Sequence, residues 1–168
     1  MRIGLFGGSF DPIHLGHLLA ASQAQEVLCL DRVLFVVAAR PPHKVPVAPA
    51  EARYEMTLLA VAEDPRFTVS RLELDRPGPS YTVDTLHELH AEYPQAQLFL
   101  LIGDDQRRSL PSWHQIGEIG RIAIICAAGR DLAVRAWNEP SGTVPTSPPL
   151  SDPLQARIRT LDMPLMPH

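Results

Sequence analysis

A chain of 168 residues with 45% hydrophobic and 20% charged residues is long enough to bury a sizeable core, and its composition is that of a globular protein. A formal net charge of −4 argues against a broad nucleic-acid surface, which draws on clustered Lys and Arg, but leaves room for a small phosphorylated ligand held by a few local cations. No apolar run approaches the roughly 20 residues that a bilayer-spanning helix needs, and no targeting leader is readable, so a single domain over residues 1–168 in the cytoplasm is expected, with no membrane or nucleic-acid partner.

In chain order, residues 3–6 read as a short buried strand that runs directly into Gly7-Gly8-Ser9-Phe10-Asp11-Pro12-Ile13-His14-Leu15-Gly16-His17. Apolar residues at helical spacing predict a helix over 15–30. Residues 33–38 are a continuous, β-branched apolar run, as suits a parallel strand covered on both faces, and a right-handed β-α-β unit is complete there. Pro41, Pro42, Pro46 and Pro49 make 40–50 a loop. A helix over 52–63 and an alternating strand over 67–74 come next. After the turn Arg76-Pro77-Gly78-Pro79, a helix opens near Ser80 with a Ser or Thr cap and runs to about 93. Residues 98–102 form another strand, ending at Gly103-Asp104-Asp105. A short helix is expected over 113–119 and a strand over 121–128.

From 129 the pattern weakens, and seven prolines occupy 140–168; a helix at 154–161 and an edge strand at 161–166 are the readings there. Cys29 and Cys126 both lie in apolar runs and read as buried thiols. Strands alternating with helices predict an α/β fold, a Rossmann-like, mostly parallel sheet with helices on both faces. Ligands of such sheets bind beyond the carboxyl ends of the strands, where the turn at Gly7, the loop after Ala38 and Gly103-Asp104-Asp105 all fall.

A strand, a glycine turn and a helix start present free N–H groups and a favourable dipole to an anion. The turn is neither a Walker A sequence nor G-x-G-x-x-G. Gly16 in a helix start costs up to about 1 kcal/mol relative to Ala, which is explicable if a ligand approaches the backbone there. His14 and His17, three apart on one helix face, admit a metal pair, helix capping or phosphate contacts. No third ligand lies nearby in sequence, so phosphate contacts are the favoured reading, with imidazole as donor. His87 and His90 share the spacing but read as exposed helix positions.

Gly8-Ser9-Phe10-Asp11-Pro12 with His14-x-Gly16-His17 resembles the signature of the nucleotidyltransferase superfamily with the (H/T)-x-G-H motif. Pro41-Pro42-His43-Lys44, Arg53-Tyr54-Glu55-Met56, Ser80-Tyr81-Thr82-Val83-Asp84-Thr85-Leu86, and Gly103-Asp104-Asp105 followed by Leu110 and Trp113 are similar in order and spacing to the bacterial nicotinate mononucleotide adenylyltransferase family, over roughly residues 1–128. The resemblance implies the nucleotidyltransferase fold and adenylyl transfer from ATP to nicotinate mononucleotide, giving nicotinate adenine dinucleotide and pyrophosphate in NAD biosynthesis. It casts His14 and His17 as the catalytic pair on the ATP phosphates. Gly7, Gly8, Ser9, Phe10, Gly103 and Asp105 would belong to the ATP side, and Lys44 would add a point charge for a phosphate. Tyr81, Thr82 and Thr85 would face the nicotinate ring, with Trp113 stacked on it. Mg²⁺ is expected with ATP, bound through phosphate oxygens and water rather than a protein cage.

The family closes on a Ser-Thr-x-x-Arg segment that these 168 residues do not contain. A chain cut short, or diverged after about residue 129, is therefore expected, with one grip on the β- and γ-phosphates missing. Two alternatives arise: another adenylyltransferase with the same first motif, such as the phosphopantetheine type, and a nucleotide-binding module without turnover. Ser80 to Leu86 and Trp113 speak against the first. No Arg or Lys can be assigned to the ring carboxylate that distinguishes nicotinate from nicotinamide mononucleotide, and no residue pattern fixes an oligomeric state.

Overall fold

The computed structural model describes residues 1–42 and 44–128, and the backbone of 134–136. β1 (Arg2–Gly8) delivers the chain into the glycine turn, and α1 (Leu15–Leu28) carries it back to β2 (Arg32–Val37). The two strands pair in parallel from Ile3 beside Arg32 to Gly8 beside Val37, which completes the expected β-α-β unit. α1 stops at Leu28 rather than residue 30 because Cys29 takes a left-handed conformation (φ 53°) and returns its N–H to the carbonyls of Gln25 and Glu26. Cys29 is thereby exposed, against the expectation of a buried thiol, whereas Cys126 is buried.

α2 (Ala50–Val61) leads to β3 (Phe67–Ser70). The strand expected to reach residue 74 ends at Ser70, whose Oγ accepts the Leu72 N–H at 3.1 Å and turns the chain into a single helical turn, α3 (Leu72–Asp75). α4 (Thr82–Glu92) starts two residues later than expected. Its cap position is Tyr81, with no side-chain cap, because the Ser80 hydroxyl is engaged elsewhere, accepting the Arg40 N–H at 3.1 Å. β4 (Gln97–Gly103) ends at the expected glycine. It runs straight into α5 (Asp104–Ser109) and a 3-10 turn (Leu110–Ser112), two elements that the sequence pattern did not predict. α6 (Ile116–Ile122), β5 (Ala123–Ala128) and β6 (Val134–Ala136) complete the described chain. The helix and strand expected within 154–166 lie outside the described residues.

Among the described residues the strands form one sheet in the order β3-β2-β1-β4-β5-β6, the first five parallel and β6 antiparallel to β5. The period of two in the apolar strands builds a core on each face. On β2, Val33, Phe35 and Val37 face the layer of α1 and α2, joined by Phe99 and Leu101 of β4. Leu34 and Val36 face the opposite layer with Leu98, Leu100 and Ile102, where Val83, Leu86 and Leu89 of α4 and Ile119 of α6 cover them. Strand order runs outward from β1 to β3, then reverses to β4 and β5. A crevice therefore opens between the carboxyl ends of β1 and β4, the position where open α/β sheets take ligands.

Candidate active site at the sheet switch point

A cavity of about 840 Å³ occupies that crevice, within the range of small-molecule sites (roughly 300–1,000 Å³). Its floor is the two strand ends. A Cβ built on Gly7 or on Gly103 would meet nothing within 4 Å, so both backbones are open to an approaching group. Gln106 bridges them: its Oε1 accepts the Gly103 N–H at 3.0 Å and its Nε2 donates to the Gly7 carbonyl at 3.4 Å.

One wall is the turn and the start of α1. Phe10 holds a left-handed backbone (φ 47°), at a cost of roughly 1–2 kcal/mol for a non-glycine residue. Its buried ring packs against Phe6 and Phe35, and this offsets the strain. His14 is the helix cap. Its Nδ1 accepts the Gly16 N–H at 3.1 Å, while the Nδ1 of His17 accepts the His14 N–H at 3.1 Å. Each bond uses Nδ1 as an acceptor, which leaves Nε2 as the nitrogen of each ring that can donate to a ligand. The imidazoles stack at 3.8 Å. A Cβ on Gly16 would lie 3.0 Å from the His14 ring, so its glycine makes room for the capping imidazole, and no ligand need be invoked. The His17 pKa is lowered to about 4, first by burial and then by the charges of His14 and Lys44. His17 is therefore a neutral donor at ordinary pH.

The opposite wall mixes segments distant in sequence. Ser80, Tyr81 and Thr82 at the start of α4 face Trp113 and His114 beyond the 3-10 turn. Tyr81 and His114 stack at 4.2 Å, and Trp113 Nε1 donates to Ser109 Oγ at 3.0 Å. Beneath them Thr85 Oγ1 donates to Glu73 at 2.6 Å and accepts from Arg76 at 3.1 Å. Burial pushes the Glu73 carboxyl up, partly offset by that hydroxyl and by Arg76.

Of the residues singled out from sequence, Gly7, Gly8, Ser9, Phe10, His14, His17, Lys44, Tyr81, Thr82, Gly103 and Trp113 all line this one cavity. Thr85 does not: it is 0% exposed and its hydroxyl is committed behind the wall. The backbone of Asp105 lies in the first turn of α5, and its side chain is outside the described part, as is His43. Gln106, Glu73, Ser80 and His114 also line the cavity and were missed as site residues. Gln106 and His114 adjoin quoted motifs and Ser80 opens one, whereas Glu73 carries no sequence signal. Among the described residues no three His, Cys, Asp or Glu side chains converge as a metal cluster, and no helix is long and apolar enough to cross a membrane.

Comparison with known proteins agrees with this fold. The cytidylyltransferase-like family matches residues 5–143. A Thermus thermophilus protein named "Probable nicotinate-nucleotide adenylyltransferase" is 75% identical over 130 residues, 77% of this chain and 70% of its own length. A Leifsonia xyli protein of the same name is 49% identical over 136 residues, 79% of this chain and 68% of its own length. Among solved structures, Plasmodium falciparum nicotinic acid mononucleotide adenylyltransferase complexed with NaAD superimposes with a TM-score of 0.66 at 17% identity, over 77% of this chain and 64% of that one, which supports the fold. The chain therefore spans about two-thirds of the length of the proteins it matches. By its motifs, its sheet order and its identity to these relatives, the chain belongs to the nicotinate-nucleotide adenylyltransferase family of the cytidylyltransferase-like nucleotidyltransferases.

Proposed function

We propose that this protein transfers the adenylyl group of ATP to nicotinate mononucleotide, giving nicotinate adenine dinucleotide and pyrophosphate in NAD biosynthesis. One observation carries the reading: a single cavity joins the histidine-capped turn to the aromatic wall at Tyr81 and Trp113. Joining two nucleotides requires a phosphate grip and a heterocycle slot in the same continuous space.

The acceptor phosphate attacks the α-phosphorus in line, forming one P–O bond as the bond to the β-phosphate oxygen breaks, and pyrophosphate leaves with that oxygen. Nothing needs to bond covalently to the protein; the chain positions the groups and stabilises charge on the phosphoryl oxygens. His14 and His17 donate through Nε2–H, with His17 on the reacting phosphate. The turn amides of Gly8, Ser9 and Phe10 line the phosphate path. Because His17 is neutral at ordinary pH, it donates without adding charge, and Lys44 supplies a full positive charge on this wall. Trp113 stacks on the pyridine ring beside Tyr81 and Thr82. Mg²⁺ accompanies ATP, held by phosphate oxygens and water, and neutralises charge on the triphosphate. A cytoplasmic enzyme acting on these two small molecules, with no nucleic-acid partner, is the corresponding cellular reading.

The test is pyrophosphate release from ATP and Mg²⁺ with nicotinate mononucleotide, nicotinamide mononucleotide or phosphopantetheine as acceptor. Release is expected with nicotinate mononucleotide. Release with phosphopantetheine alone would refute the reading, and ATP binding without release from any acceptor would make the chain a binding module.

A further inference from the structure

Arg53 is the largest fully buried side chain among the described residues, 1% exposed, and among those residues it makes no ion pair within bonding distance. A guanidinium taken out of water without a carboxylate against it is costly, and a hydrophobic side chain would fill the space more cheaply. What Arg distinctively offers is a rigid planar fork of donors. Here the fork is spent on main-chain carbonyls: Nε donates to Ala48 at 2.9 Å, Nη1 to Ser9 at 2.9 Å and to Ala38 at 2.6 Å, and Nη2 to Ala39 at 3.4 Å.

Those four carbonyls belong to segments that surround the cavity. Ser9 is in the glycine turn, Ala38 and Ala39 follow β2, and Ala48 closes the proline loop that carries Lys44. In a planar trans peptide the C=O and the following N–H point in opposite directions. Fixing the Ser9 carbonyl therefore fixes the N–H of Phe10. Fixing the Ala39 carbonyl likewise fixes the N–H of Arg40, which donates to Ser80 Oγ at 3.1 Å on the opposite wall. The Lys44 loop is held a second time from the turn itself, since Asp11 accepts the N–H groups of Val47 and Ala48. Those two bonds hold the Asp11 carboxyl below its ordinary range, with smaller help from Arg53 and Lys44.

We propose that Arg53 is a positioning residue: with Asp11 it sets where the Lys44 loop stands relative to the glycine turn, and so places the one lysine of the phosphate wall. This rests on the adenylyl-transfer reading for its rate measurement but not for its binding measurement.

A double-mutant cycle tests it. Arg53→Lys keeps the charge but cannot serve four carbonyls, and a misplaced phosphate wall should lower kcat/KM for ATP by about tenfold or more. Lys44→Ala alone should cost about tenfold, and in the Arg53→Lys background close to nothing, because Lys44 is already displaced. Losses that multiply would overturn the proposal, since a merely structural Arg53 would weaken every variant alike. If Arg53→Lys does not fold, Asp11→Asn replaces it in the same cycle, and multiplying losses there overturn it equally. Should the wild-type chain release no pyrophosphate, the adenylyl-transfer reading fails alone, and the same cycle is read on calorimetric binding of a non-hydrolysable ATP analogue.

Discussion

The two ends of the cavity are made differently. At the glycine-turn end, proposed to hold the phosphates, nearly every restraint involves the backbone: His14 and His17 cap the amides of the helix start, Arg53 binds carbonyls, Asp11 binds amides, and the Ala38 N–H donates to the Gly8 carbonyl at 2.9 Å. At the aromatic end, proposed to take the acceptor, side-chain pairs carry more of the restraint: Tyr81 on His114, Trp113 on Ser109, Thr85 between Glu73 and Arg76, beside main-chain bonds between Ser80 and Arg40 and from Arg76 to Tyr81. Backbone restraints specify a geometry that few substitutions can retune. Side-chain restraints can be exchanged singly. A shared reacting group suits the first construction and a selected acceptor suits the second.

The contrast is broken most severely through His17. Replacing it with Ala should lower turnover by about 10²-fold or more while the protein stays folded, because the lost capping bond lies at a partly exposed helix start and is worth only about 1 kcal/mol. Pyrophosphate release and circular dichroism read the two halves of that statement. Near-normal turnover would remove His17 from the mechanism and leave the phosphate end as scaffold.

A smaller effect is expected at the other end. Trp113→Ala should raise KM for nicotinate mononucleotide by about tenfold, the scale of one aromatic stacking interaction, with KM for ATP nearly unchanged. Trp113→Phe keeps a ring and loses only the bond to Ser109, so it should recover most of the loss. If both variants disturbed ATP as much as the mononucleotide, the two ends would be one coupled unit.

The same division governs how much was legible in the sequence. The sheet, its strand ends and the glycine turn could be read because local pattern dictates them: a β-branched apolar run at 33–38, a continuous apolar run at 98–102, and a glycine turn at a strand end. Strand 67–74 was misread because alternation of Arg71 and Glu73 with Leu72 and Leu74 mimics an edge strand, while a serine-capped turn at Ser70 competes locally and Glu73 gains a buried partner in Thr85. Arg53 illustrates the harder limit. In sequence it opens one of the segments that carry the family resemblance, but nothing local says what it binds, and only the fold brings the carbonyls of 9, 38, 39 and 48 around it. Thr85 erred the other way: within the motif it looks like a ligand contact, whereas the helix phase turns it behind the wall.

The smallest expected effect is a slope of stability on pH, and it tests the phosphate end at its centre. The rings of Phe6 and Phe10 stand edge-on to the His17 imidazole, at 6.1 and 5.2 Å, and keep water from one side of it. Lys44 and His14 add to the cost of a proton there. Its folded pKa of about 4 therefore lies below the ordinary 6.5. Between those two values the unfolded chain binds more protons at this residue than the folded chain does. Stability must then rise with pH across that window, and fall as the pH drops through it. Partial exposure keeps the slope well below that of one whole proton. The difference in urea unfolding between the wild type and His17→Gln isolates it from the carboxylates that titrate in the same range, and the His17 ring signal in an NMR titration reads the midpoint directly. A midpoint near 6.5 would give the phosphate end a charge that switches on under mild acid. It would then grip phosphate by titration rather than by fixed donors, and the contrast with the acceptor end would fail where it is drawn most sharply.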